Sequence, residues 1–150
     1  MADWQPTIDD ITRALTDLAD RIAASTTDTL EPYVYQMLRD VAFHLEQHIP
    51  GLETPPDADA AYALSRAAQA ALDRGAERDA LSRAVRGLSF SPHDPTLFYI
   101  GASACFEFGA VELALRLLYH TLWIHPGHRA ARADLESLSA FLDDNEERAA

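Results

Sequence analysis

The residues of this chain best suited to chemistry are its six histidines and its single cysteine. His44 and His48 lie one helical turn apart, a spacing that can hold a metal ion. They stand in the text HLEQH, which puts the glutamate in the wrong place for a zinc protease. His125 and His128 bracket a Pro-Gly pair, and no acid or cysteine nearby completes either set. A metal site needs three or four convergent ligands, so none is expected here. Cys105 has no flanking base and falls at an apolar position, where a packed thiol is expected rather than a nucleophile. The acid pairs Asp9/Asp10, Asp143/Asp144 and Glu146/Glu147 fall on solvated faces or in the tail. No glycine-rich phosphate loop occurs. The chain is therefore expected to be non-catalytic and to carry no cofactor.

Composition narrows the remaining functions. The chain has 150 residues, 48% of them apolar, and a formal net charge of −12. That is enough apolar content for a packed core. Residues 1–60 hold twelve acids against three bases, a net charge of −9. Such a charge disfavours nucleic acid and anionic membrane and favours basic surfaces. All twelve basic residues are arginine, and there is no lysine. One cysteine excludes an internal disulfide and fits a reducing compartment. Asp3, Asp9 and Asp10 stand where a secretion leader would need a basic region and an apolar core. No apolar run approaches the roughly 20 residues that span a bilayer. The expected location is a bacterial cytoplasm, without membrane insertion.

The elements that must position any binding residues read as helices. Residues 7–24 place Ile8, Ile11, Leu15, Leu18 and Ile22 at spacings of 3, 4, 3 and 4, a narrow apolar seam. Thr7 can cap this helix. The seam packs on one partner helix, in this chain or in a second copy, so these five residues are candidates for self-association into a homodimer. A second helix is predicted from about Leu30 to His48, with Pro32 in its permitted first turn. Residues 1–50 thus form an N-terminal helical pair, and the Pro-rich residues 51–57 a linker.

Residues 58–143 repeat themselves. Aligning 61–94 with 95–128, a period of 34, superposes Gly75 on Gly109, Ala80 on Ala114, Leu88 on Leu122, Phe90 on Ile124 and Pro92 on Pro126. Each unit reads as two antiparallel helices. The glycine allows the turn between them, and the proline ends the second helix. One more helix, from Arg129 to about Asp143, would cap the stack, with Leu135 and Leu138 inward. Residues 144–150 read as a flexible acidic tail.

The period and the Gly, Ala and Pro positions resemble the tetratricopeptide repeat (TPR) family, although Gly101-Ala102 stands where that family prefers Leu-Gly. The resemblance implies an all-α, TPR-type helical hairpin solenoid: two repeats plus a capping helix, with the N-terminal two-helix extension. It further implies a concave groove lined by the first helix of each unit. Carried onto this chain, the groove positions are Tyr62, Ser65, Gln69, Leu72 and Asp73, then Thr96, Tyr99, Ser103, Phe106 and Glu107, then Ser137, Ala140 and Phe141. None is basic, unlike the clamps that grip carboxylate tails. An aromatic, apolar groove suits an apolar peptide or an amphipathic helix of another protein. The alternative is that the N-terminal helices cover Phe106 and Phe141. Tyr119 and Trp123, one turn apart on the outer helix of the second unit, mark either the packing of an N-terminal helix or a second self-association surface.

The run FYIGASACFEFGAVELAL, residues 98–115, is similar to the class II chaperones of bacterial type III secretion. That resemblance implies a small acidic chaperone or adaptor that keeps an apolar client soluble. The other reading is a generic TPR scaffold or assembly factor that joins folded partners through its outer or N-terminal faces.

Overall fold

The structure is a computed structural model. It describes residues 5–48 and 57–149, with side chains as far as residue 144. The described residues form α1 (Ile8–Ala24), α2 (Pro32–Leu45), α3 (Ala58–Asp73), α4 (Glu77–Phe90), α5 (Pro95–Glu107), α6 (Val111–Ile124) and α7 (Arg129–Ala149). Most of the segment expected as a linker, residues 51–56, lies outside the described residues; its last member, Asp57, caps α3 by accepting the Ala60 amide at 3.1 Å.

Local chemistry sets the helix ends. Thr7 and Asp10 form a reciprocal capping box at the start of α1. The two repeat units turn in the same way. The Gly75 amide donates to Leu72 and the Ala76 amide to Ala71, while 34 residues on Gly109 donates to Phe106 and Ala110 to Cys105. This six-to-one and five-to-two pattern is the Schellman ending. It needs a left-handed residue, and Gly75 and Gly109 have φ of +78° and +80°. Asp94 caps α5 through the Thr96 and Leu97 amides. At the start of α7 the Nδ1 of His128 accepts the Ala131 amide at 3.0 Å, so this histidine is a helix cap. The last helix runs through Ala149, past the expected end near Asp143. The tail DDNEERA offers Glu, Arg and Ala and no Gly or Pro, so nothing there stops a helix.

The helices stack in three layers. Helices α3, α5 and α7 form the inner layer and α4 and α6 the middle one. Helix α1 lies on α4, and α2 on α1 and α6, so the N-terminal pair forms the outer layer. Small side chains let the repeat helices close: Ala61, Ala68, Ala71, Ala80 and Ala84 are all buried. At Gly87 an added Cβ would lie 2.8 Å from both Leu97 methyl groups, so the Leu97 side chain would have to shift to admit one. One apolar core runs from Ile11 in α1 to Leu138 in α7. The N-terminal pair and the repeats share it.

Candidate partner-binding surface

The seam on α1 is closed within the chain. Ile11, Leu15, Leu18 and Ile22 have no exposed surface, and Ile8 is half-buried against the same core. Of the two partners expected for the seam, the structure shows the one within the chain, which takes these residues from the surface a second copy would use. The physical reason lies on α4, where Arg78, Ser82 and Arg86 meet α1 at successive turns. The Ser82 hydroxyl donates to the Ala19 carbonyl at 2.8 Å. Arg86 pairs with Asp20. Arg78 donates to the carbonyls of Ile22, Thr27 and Thr29 at 3.2, 2.8 and 2.9 Å, and pairs with Glu31 at 3.3 Å. It thereby satisfies the Ile22 carbonyl in the last turn of α1, which has no helical donor, and two carbonyls of the segment that follows. The hydroxyls of Ser25 and Thr27, and Arg78 after them, hold the Glu31 carboxyl down at about 2.

The inner layer is open. Between α5 and α7 lies a cleft of about 270 Å³, with Ala102, Leu118 and Leu138 as its apolar lining and Ser103, Phe106, Glu107, Asp134 and Ser137 around them. Phe106 is 45% exposed, Tyr62 61% and Phe141 52%. The N-terminal helices lie on the other side of α4 and α6, so they do not cover these rings.

The expected groove positions divide. Tyr62, Gln69, Asp73, Thr96, Phe106, Glu107, Ser137, Ala140 and Phe141 are exposed, and Ser103 lines the cleft. Three positions correct the expectation. Ser65 is buried and its hydroxyl is spent on the Tyr62 carbonyl at 2.8 Å. Leu72 packs on Ala68, Ala84 and Ile100. Tyr99 is half-buried, lies 4.8 Å from the His128 ring, and donates its hydroxyl to Asp134 at 2.7 Å. It ties α5 to α7, and burial together with that carboxylate pushes its phenol up to about 12. Asp134 was missed as a cleft residue. The available signal is its place one turn before Leu138, an expected inward position on α7.

A second exposed surface lies on the outer side. Tyr119 and Trp123 are 59% and 48% exposed, and Phe43 on α2 is 50% exposed. Arg116 spans α6 and α2, pairing with Glu46 at 3.2 Å and lying 6.0 Å from the Phe43 ring. Glu46, at the end of α2, lines a surface hollow together with Tyr119 and Trp123, and Trp123 stays about half exposed. Its ring rests edge-on against His93 and His120. His120 is buried and stacks on Phe98 at 3.9 Å. Burial, with the neighbouring His93 and Arg116, pushes its pKa down to about 3, so the ring is neutral.

Among the described residues, no three His, Cys, Asp or Glu side chains converge to hold a metal ion. His48 reaches the Pro6 carbonyl at 3.2 Å. Burial pushes the Cys105 thiol up to about 12, which leaves no thiolate near neutral pH. No helix of the described residues is long and apolar enough to cross a membrane.

No family model and no curated protein matches the chain. Among solved structures it is similar to the C-terminal TPR-containing domain of an FK506-binding protein of Plasmodium falciparum, at 14% identity and a TM-score of 0.54, over 95% of this chain and 97% of that one. The likeness covers the N-terminal pair as well as the repeats, and with the 34-residue period and the paired glycine turns it shows that the chain has a TPR-type helical hairpin fold.

Proposed function

We propose that this protein is a non-catalytic binding module that holds an apolar segment of another protein in the cleft between α5 and α7. The observation that carries the reading is the state of Phe106. A ring that is 45% exposed beside an apolar cleft of about 270 Å³ leaves apolar surface in water on the face the N-terminal helices do not reach. Covering such surface is the main favourable term in association. In this reading Tyr62 and Phe141 extend the contact, and Tyr99 keeps α5 and α7 at their spacing. A client kept soluble for export is the narrower form of the reading.

The second reading is a scaffold that holds folded partners through the outer surface. The joint exposure of Phe43, Tyr119 and Trp123 favours it. A pull-down from the host cell, read by mass spectrometry, separates the two. The protein is compared with a Phe106→Ala/Phe141→Ala variant and a Tyr119→Ala/Trp123→Ala variant. Loss of one abundant partner in the first variant alone is the expected result. Loss in the second variant alone moves the function to the outer face. Tyr99 is left intact because its removal would also loosen α7.

A further inference from the structure

If the cleft between α5 and α7 is the docking site, its charge pattern narrows the chemistry of the occupant. Asp73 and Glu107 are 34 residues apart, and each is the last residue of its helix, α3 and α5. A carboxylate there faces the negative end of the helix dipole, where a cation would be favoured. Neither helix has a basic residue in its last turn. Asp73 accepts a bond from the neutral amide of Gln69 at 2.9 Å. No cation of the described residues pairs with Glu107. Of these two only Glu107 lines the cleft, and Asp134 joins it there, with its Oδ2 taking the Tyr99 hydroxyl. No basic side chain lines the cleft. Arg66, on α3, is engaged with the Tyr62 hydroxyl at 3.2 Å and its ring at 5.9 Å. The cleft is thus an apolar slot with an acidic rim and no internal counter-charge.

We propose that its occupant is an amphipathic helix of another protein, with aliphatic side chains on the buried face and Lys or Arg beside them. Cations beside its apolar face would supply the counter-charge that the lining of the cleft lacks for Glu107 and Asp134. The net charge of −12 draws such a segment in from a distance.

The test uses four synthetic peptides of 18 residues. Three share a Leu/Ala apolar face and differ at the flanking positions, which are Lys, Gln or Glu. The fourth has the Lys composition with the apolar spacing scrambled. Binding to the intact chain is read by fluorescence anisotropy at low and high salt. The Lys peptide is expected to bind about tenfold tighter than the Gln peptide, with the Glu peptide weakest, and added salt should shrink the difference. Glu107→Lys should abolish the preference, and Glu107→Gln should reduce it. Glu107 is exposed, so the thermal melts of both variants should match the parent. Phe106→Ala should weaken all three patterned peptides. Equal binding of the Lys and Gln peptides, still dependent on Phe106, overturns the charge inference and leaves the docking reading standing. A scrambled peptide that binds as well as the Lys peptide also overturns it, because the attraction is then unspecific. Binding by none of the peptides, or binding indifferent to Phe106, removes the docking reading and the inference with it.

Discussion

The two faces of the repeat stack meet opposite fates. The outer face of α4 and α6 receives α1 and α2, and the seam side chains Ile11, Leu15, Leu18 and Ile22 lose all exposure. The inner face of α3, α5 and α7 receives no further element of the described residues, and three rings remain about half exposed or more. Apolar content alone does not account for the difference. The outer face also supplies donors where α1 needs them, in Arg78, Ser82 and Arg86. An added helix brings orphan carbonyls at its end, and a face that can satisfy them accepts it at low cost. The inner face offers carboxylates, so it suits a partner that brings the donors itself. Covering one half-exposed ring removes roughly 100 Å² from water, or about 2 kcal/mol. That gain is left for an occupant.

The comparison can be broken most directly at Leu18. Leu18→Ala should cost about 2–5 kcal/mol in denaturant unfolding, because it opens a cavity in the shared core. All helices should melt together. A separate early transition for α1 would show that the outer layer is an appendage.

Acid probes the same side of the molecule. The unfolded chain protonates His120 below about 6.5, while the folded chain resists until about 3. Stability should therefore fall as pH drops from 6.5 towards 3, by an amount on the order of a few kcal/mol. Glu31 adds a loss in a lower window, as pH falls from about 4.5 through about 2. His120→Phe should flatten the upper part of the profile and leave the lower part. An unchanged upper slope would mean that the ring is not held neutral.

The smallest effect is expected on the inner face. Phe106→Ala and Phe141→Ala should each change stability by less than about 1 kcal/mol, as exposed side chains without buried partners do. Losses as large as that of Leu18→Ala would place these rings in the core and erase the contrast.

Much of the fold was legible from local signals. Gly75 and Gly109, the prolines at 92 and 126, and the small residues at 80 and 114 carry the repeat, since turn geometry and close approach restrict residue type. The capping Thr7 and the spacing of the α1 seam marked the first helix to within a residue. The groove was legible only in part. Phe106, Ser103 and Ser137 do line the cleft, and Leu72 and Ser65 do not. Those two stand at positions whose burial depends on how α3 meets its neighbours, which a repeat register alone does not set. The outer aromatic pair was visible as well, but not its contact with His93 and His120.

Arg78, Ser82 and Arg86 show where sequence stops. Read along α4 they are a polar stripe at four-residue spacing, the pattern of a solvated face. In the structure they join α1 and the turn after it, through bonds between residues 56, 63 and 66 positions apart. The sequence by itself determined an all-helical chain, its 34-residue repeat, its acidic charge and the existence of an apolar seam. Only the tertiary structure decided that the seam closes on α4 of the same chain and that the inner cleft stays open. Periodicity reports that a face must be buried; which surface buries it depends on donors and acceptors that lie far apart in sequence and meet only in the fold.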